Sequence, residues 1–493
     1  MPSSNLDEGP ASTALDRAAA ALNAGNAVEA EHFLLPLTQA VDNPRALAML
    51  AQLRQLQARH DEARAIYRAA LDLDSCHYGA LCNLAIIESE AEHLDECEAL
   101  LRRAISVAPE LPNAYVNLGI AFEQSSRQTE ALEVYRSALQ FNPGNALIWF
   151  NLGNALLALE RIEEAIAAWR NVLAIDPEFT DVFWNLAQAQ LLRGSYIDGW
   201  ATLAQRWKSP QFSAFAPKFE VPQWHGEDIA GKRILLWGEQ GFGDGIQFAR
   251  FATGVAARGA TVILAMHRNL CSIAASIDGV AQCVDLHAAL PAFDLHCALM
   301  DLPRLFQTTL QTIPAAPYLR TPAGLVSAWA ARLPAARSLR IGLVWSTGIT
   351  RHEKALLHGG TSRSFDARVY APLWRLDADF FSLQTDANCA QLGLPLIDYT
   401  GDLKSFSDTA ALMPNLDLVI SVDTAAVHLA GALDVPVWVI LKKNADWRWG
   451  SGAATPWYAS ARIFRQSTAG DWSGPIAQIT AELSALIEQH KST

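Results

Sequence analysis

The first 200 residues contain no lysine. They hold 13 Arg against 27 Asp and Glu, whereas residues 201–493 hold 25 basic and 24 acidic side chains, so an acidic half precedes a nearly neutral one. Neither half has the broad basic footprint that nucleic acid requires, and no nucleic-acid partner is expected. Cysteine is sparse: Cys76, Cys82, Cys97, Cys271, Cys283, Cys297 and Cys389, with no CxxC pair. An odd count without metal spacing argues against a disulfide framework or a zinc site and for reduced thiols. Long apolar runs are missing too. The most apolar stretch, Leu416 to Leu441, is broken by Asp417, Asp423, His428 and Asp434. A membrane helix needs about 20 mainly apolar residues, so no membrane insertion is expected. The N-terminal MPSSNLDEGPAST lacks the basic and apolar regions of a signal peptide, and a cytoplasmic location is expected. What is present is 51% hydrophobic and 18% charged residues over 493 positions. That composition implies packed domains, about two to four of them by length.

The first half repeats at a spacing of 34. Tyr115, Leu118, Gly119, Phe122, Ala131, Tyr135, Ala138 and Pro143 return as Trp149, Leu152, Gly153, Leu156, Ala165, Trp169, Val172 and Pro177. One step back gives Leu81, Leu84, Ala85, Cys97, Leu101, Ala104 and Pro109, and another gives Leu47, Leu50, Ala51, Ala63, Tyr67 and Ala70. This alternation of large and small positions resembles the tetratricopeptide repeat, a pair of antiparallel helices packed through small residues at their crossing. Four units are clear, with a degenerate one near 14–44 and a partial one from Phe183 to about Trp207. Stacked pairs expose a long face suited to protein or peptide. Asn83, Asn117, Asn151 and Asn185 recur at the same spacing, each just before the Leu of its unit. An amide offers donor and acceptor together, so such a column can hold a peptide backbone, and these four are candidate acceptor-binding residues. The other reading of the column is local bonding within each unit.

After Trp207 the pattern changes. A linker rich in aromatics and proline (Gln211 to Gln223) leads to short apolar runs alternating with helical segments. Strands are expected at Arg233–Trp237, Thr261–Ala265, Ala281–Asp285, Phe293–Leu299, Arg340–Trp345, Phe380–Gln384, Leu394–Asp398, Leu416–Val422 and Val435–Leu441. Helices are expected at Ile246–Ala257 and Pro475–Gln489. Strands alternating with helices imply parallel sheets, and two sheets in tandem imply a ligand crevice at their carboxyl ends.

Two loops carry the chemistry. GEQGFGDG at 238–245 lies between a strand and a helix, where glycines let backbone approach a ligand and a helix N-terminus favours an anion. It is neither GxGxxG nor a P-loop. Asp244 reads as a base entering the crevice or as a helix cap. SVDTAAVHLAGAL at 421–433 is again strand to helix, with Asp423 and Thr424 at the helix start. His428, one turn beyond Thr424, reads as a ligand contact or as a buried helix histidine. Asp377 and Asp379 spell DxD but precede a strand, which reads as surface. Trp447, Arg448 and Trp449 form an aromatic–basic cluster that either stacks on a ligand or packs between elements.

On these motifs the second half, roughly residues 220–490, resembles GT-B glycosyltransferases, and most closely the heptosyltransferase family. Those enzymes carry a Gly-Asp after the first strand, matched by Gly243 and Asp244, and their Asp is the proposed base for the acceptor hydroxyl. They also carry Asp-Ser/Thr-Gly-x-x-His at the donor site, matched by Asp423, Thr424, Ala425 and His428, with Ala425 in the place of the glycine. The resemblance further implies Arg363 as a phosphate cation, Ser346 and Gly348 at the diphosphate, and Gln384 at the base. The combination with repeats resembles O-GlcNAc transferases, whose architecture implies a protein acceptor. The fold class expected is therefore an α-helical TPR solenoid followed by an α/β GT-B fold of two Rossmann-like domains facing a cleft. Its parts would be 1–207 (repeats), 208–230 (linker), 231–320 (acceptor side), 321–474 (donor side) and 475–493 (terminal helix).

The function this implies is transfer of a sugar from a nucleotide sugar to a protein or peptide acceptor, inverting, with neither metal nor cofactor, the nucleotide sugar being a substrate. Two rivals stand beside it: a non-catalytic scaffold with a degenerate transferase fold, and a heptosyltransferase-like enzyme of glycolipids. The acidic first half would be repelled by an anionic membrane surface, which counts against the last.

Overall fold

The computed structural model describes residues 10–40, 43–336, 338–347, 363–386 and 392–492, and the chain divides into two compact units, 1–179 and 180–493. The first unit is a series of antiparallel helix pairs: Pro10–Asn23 with Ala27–Ala40, Pro44–Leu56 with His60–Leu73, Tyr78–Glu90 with Leu94–Val107, Pro112–Gln124 with Gln128–Phe141, and Ala146–Ala158 with Ile162–Ile175. In the last four pairs the first helix ends the same way. Ala58, Glu92, Ser126 and Glu160, 34 apart, take φ of 57°, 62°, 59° and 61°. The next amide then reaches back to a late carbonyl of the helix: Arg59 to Arg54, His93 to Glu88, Arg127 to Phe122, Arg161 to Leu156. This closure satisfies carbonyls the helix leaves open and turns the chain sharply, at a conformational cost of about 1 kcal/mol for a non-glycine residue.

The small positions are set by contact. A Cβ on Gly119 would lie 2.3 Å from the Tyr135 ring, and one on Gly153 would lie 2.3 Å from the Trp169 indole. Where the large partner is Tyr67 or Leu101, alanine (Ala51, Ala85) holds the matching place. The 34-residue pattern thus records how closely each pair of helices crosses.

The second unit holds two wholly parallel sheets. In the first, β1 (Arg233–Trp237), β2 (Thr261–Met266), β3 (Val280–Asp285) and β4 (Leu295–Ala298) lie in the order β3-β2-β1-β4. In the second, β5 (Leu339–Val344), β6 (Ala378–Ser382), β7 (Ile397–Asp398), β8 (Leu418–Val422), β9 (Val437–Leu441) and β10 (Ala461–Arg465) lie in the order β10-β9-β8-β5-β6-β7. Strand order reverses at β1/β4 and at β5/β8, the two places where doubly wound sheets open a crevice. The expected fold class is therefore found, with β10 added. That strand escapes a sequence reading because Arg462 and Arg465 interrupt its short apolar run.

One expected helix is broken. Instead of Ile246–Ala257 there are two, Phe242–Ala249 and Ala252–Ala256. The Arg250 side chain donates from Nε to the carbonyl of Gln247 at 2.9 Å, and the amide of Phe251 bonds Phe248 instead. A side chain has taken the carbonyl that the next turn needed.

The helices Val182–Leu192 and Tyr196–Leu203 belong to the core of this unit. Trp200 packs edge-on against Phe248, Trp447 and Trp457, and its indole donates to the carbonyl of Thr308 at 3.0 Å. Trp207, Ala216 and Phe219 cover the other face of the first sheet over Leu235, Trp237 and Ile263. Beyond them Gln223 pairs in parallel with His296, extending the sheet past β4.

Gly153→Ala should force the Trp169 indole out of place, an overpacking of about 1–3 kcal/mol. Hydrogen-exchange mass spectrometry is expected to show faster exchange across 146–175 with β5 and β8 unchanged.

Candidate functional site

The loop after β1 is held from beneath. Arg206 is fully buried and grips Glu239 of the GEQGFGDG loop with two donors, Nε at 2.9 Å and Nη2. Its Nη1 donates to Asp301, just past β4, at 2.7 Å. The other Asp301 oxygen accepts from the Trp207 indole and the Gln223 amide, each at 3.3 Å. One guanidinium therefore faces two buried carboxylates. Burial pushes Glu239 up to about 7 against the pull of Arg206.

The loop then enters the helix Phe242–Ala249 through Gly241, whose amide donates to the Asp244 Oδ2 at 3.3 Å. The capping role of Asp244 is present. Its other oxygen, Oδ1, accepts from Arg448 Nη2 at 2.7 Å. Burial raises the Asp244 carboxyl above its ordinary value, while Arg448 draws it back.

In the second sheet, β8 leads through Asp423 to Thr424, which caps the helix Ala425–Ala432 by accepting the Ala426 amide at 3.3 Å. Thr424 also shares a 3.1 Å hydrogen bond with Ser421. Arg363 stands 3.7 Å from the Asp423 carboxylate. Burial raises Asp423, and Arg363 opposes it. Ala425 is the first residue of the helix and half-buried.

Around the site the two halves meet in several places. The helix of Asp244 packs on the helix of His428, and a Cβ on Gly243 would lie 2.7 Å from His428 Cδ2. Gly243 is thus required by the histidine ring. His428 is only 3% exposed, shares a 2.9 Å hydrogen bond with Tyr458 through Nδ1, and lies near the Trp449 ring. Burial holds it well below its ordinary value, so it is neutral. Arg250 donates to the carbonyls of Pro314 and Trp457 at 3.0 and 2.9 Å and sits over the rings of Tyr318 and Tyr458. Arg448 spans from Asp244 to Asp446, 3.3 Å away. Asp244, Asp423 and Asp446 with Arg363 and Arg448 make one charged cluster at the carboxyl ends of β1, β8 and β9.

The remaining candidates divide. Gln384 is buried and accepts from the amides of Trp345 and Ser346 at 3.0 and 2.9 Å, while its own amide donates to the Ser346 carbonyl at 3.0 Å. It braces the loop after β5 on which Ser346 lies. Gly348 falls outside the described residues. Asn83, Asn117 and Asn151 sit on the first helices of their pairs; Asn151, 8% exposed, has no hydrogen-bond partner on Nδ2. Asn185 is half-buried in the helix Val182–Leu192. Asp377 pairs with Lys491 at 3.0 Å, on the surface. Trp447 and Trp449 are buried packing residues. Arg206, Glu239, Asp301 and Asp446 were not singled out from sequence, and Arg448 only as part of its aromatic cluster. The partners of Arg206, Glu239 and Asp301 lie far along the chain, and the one local signal is the acidic residue within a glycine-rich loop.

Tetratricopeptide-repeat family models match residues 44–75, 124–160 and 153–194. Protein FlbA of Caulobacter vibrioides is 26% identical over 326 residues, covering 59% of this chain and 53% of the relative. The chain spans about half the length of that relative, and the likeness reaches beyond the helix pairs into the α/β unit. Among solved structures, a tetratricopeptide repeat protein from Parabacteroides merdae is 16% identical and covers 40% of this chain and 78% of its own, with a TM-score of 0.34. YrrB, a TPR protein with an unusual peptide-binding site, is 19% identical over 35% of this chain and 89% of its own, with a TM-score of 0.30. No glycosyltransferase family model is among those that match.

Arg206→Ala leaves two buried carboxylates without their cation and should cost about 3–5 kcal/mol, read as an earlier urea transition in tryptophan fluorescence. His428 makes a second expectation. An unfolded chain protonates this ring near its ordinary 6.5 while the folded chain refuses the proton. Stability is therefore full above about 6.5 and falls as the pH drops below it. In His428→Phe that part of the acid dependence should be gone from denaturation midpoints measured between pH 5 and 8.

Proposed function

We propose that this chain is a nucleotide-sugar-dependent glycosyltransferase whose helix pairs hold a protein or peptide acceptor. The observation that carries the reading is the meeting of two strand-to-helix turns, one ending in Asp244 and the other in Asp423-Thr424, in one charged cluster at the carboxyl ends of two parallel sheets. The switch point of the first sheet is filled by Arg206 between Glu239 and Asp301. That of the second, between Ser346 and Thr424, has the start of the helix Ala425–Ala432 and Arg363 at its edge, which suits a diphosphate.

In this scheme the 231–320 part supplies the acceptor side and the 321–474 part the donor side. An acceptor hydroxyl gives its proton to Asp244 as its oxygen bonds the anomeric carbon, and the bond from that carbon to the diphosphate breaks. The positive end of the helix at Thr424, with Arg363, takes up the charge of the departing diphosphate. Gly243 keeps the base close to the second sheet, and His428 supports it as a packed neutral ring. Gln384 shapes the Ser346 loop from behind. The Asn column, above all the unsatisfied amide of Asn151, supports a peptide backbone as occupant of the repeats. No helix among the described residues is long and apolar enough to cross a membrane.

The test is a thermal-shift panel of ADP, UDP, GDP and CMP. A nucleotide at about 100 times its dissociation constant adds about 2.7 kcal/mol. One nucleotide should stabilise the wild type and Asp244→Asn alike, lose its effect in Asp423→Ala/Thr424→Ala, and define the sugar donors to assay. Asp244→Asn should then abolish transfer. Stabilisation by none of the four would leave the chain a binding scaffold.

A further inference from the structure

We propose that Arg448 is the positioning residue for Asp244: its guanidinium, stretched between Asp244 and Asp446, fixes the carboxylate at the cleft and keeps it in the charged form a base requires. The proposal rests on the transferase reading for its use of Asp244 as base, though its geometry does not.

Arg448 follows β9 in the second sheet, whereas Asp244 belongs to the helix after β1 in the first. The 2.7 Å contact from Nη2 to Asp244 Oδ1 therefore crosses the cleft, and Nη1 lies 3.3 Å from Asp446 Oδ2. The side chain is over nine-tenths buried and lies over the Trp447 ring, and its Nε has no hydrogen-bond partner. A planar fork held at both ends leaves little rotational freedom, so the carboxylate it grips is aimed as well as charged.

Among the described residues, several charged groups near Asp244 bear on this. Glu239 shares its loop; Asp423 and neutral His428 come from β8 and the helix after it; Arg363 and Asp446 come from the segments before β6 and after β9. Two carboxylates besides Asp446 oppose a charge on Asp244, and Arg363 is the more distant cation. Without Arg448 a buried carboxylate among carboxylates would hold its proton. Asp446 acts in the other sense, adding negative charge and sharing the guanidinium.

The experiment is a pH titration of the full chain carrying 13C-labelled aspartate carboxyls, with the Asp244 resonance assigned by its loss in Asp244→Asn. In Arg448→Gln its midpoint should rise by about one pH unit or more. In Asp446→Asn it should fall, and Arg448→Lys should return it toward wild type. A disturbed fold does not move one resonance in opposite directions in two neighbouring variants. An unchanged midpoint in Arg448→Gln, or shifts of the same sign in Arg448→Gln and Asp446→Asn, overturns the proposal. Should Arg448→Gln fail to fold, Arg448→Lys and Asp446→Asn decide it: no fall in Asp446→Asn rejects it. These readouts need no substrate, so absence of nucleotide binding sinks the transferase reading while leaving this result to stand or fall by itself. If a donor is found, the acidic limb of kcat should move with the same signs.

Discussion

Everything at the cleft depends on a guanidinium buried where water cannot reach it. Arg206 lies in the helical segment that precedes the sheets, yet its donors end on Glu239 after β1 and Asp301 after β4. Taking three charges out of water costs several kcal/mol per ion, and only close bidentate geometry offsets it. Such a triad is a poor source of stability and a good source of uniqueness, since any displaced loop leaves a bare charge inside. Once Glu239 is fixed, so is the short path from Gly241 through Asp244. The helices 182–192 and 196–203 therefore join the α/β unit as the support of its glycine-rich loop.

The triad also decides which crevice remains for a ligand. Parallel sheets open at the carboxyl ends of strands where the order reverses. In the first sheet that opening is β1/β4, and Arg206 fills it. In the second it is β5/β8, bounded by the Ser346 loop, which Gln384 holds from behind, and by the capped turn at Thr424. In the proposed scheme the same kind of sheet is used once as a mount for a carboxylate and once as a seat for an anion. Gly243 makes the two cooperate. Any side chain there would strike the His428 ring and push Asp244 away from the second sheet.

How far this was legible beforehand follows from the range of each interaction. Local periodicity shows through because it is written in neighbours: the 34-residue pattern encodes pairs such as Gly153 with Trp169, and apolar runs mark nine of the ten strands. The strand-to-helix loops were visible because glycines and a Thr cap sit within a few residues of one another. Partners distant in sequence were not. Nothing near Arg448 in the chain tells of Asp244, 204 positions away, and Arg250 looks like any helical arginine until its side chain is seen to have ended its own helix. Burial was the other blind spot. His428 and Gln384 have the chemistry of ligand contacts, and sequence does not show that His428 Nδ1 bonds Tyr458 or that Gln384 bonds the backbone after β5.

The charge balance at the cleft carries the last step. Asp244, Asp423 and Asp446 face Arg363 and Arg448, with Lys442 nearby held below its ordinary value by burial and by Arg363. With every group ionised, the three carboxylates would cancel the three cations and leave no net attraction for a diphosphate. Burial works against that by raising Asp423, the carboxylate at the capped turn, toward its neutral form. Burial raises Asp244 as well, and the close contact with Arg448 opposes it. In the proposed scheme the two acids are set apart by their partners: Asp423 stands 3.7 Å from Arg363, which an anion could draw away, whereas Asp244 holds Arg448 at 2.7 Å and would serve as the base. A site that must accept negative charge and remove a proton within a few ångströms needs that division, and it is made by where two arginines stand.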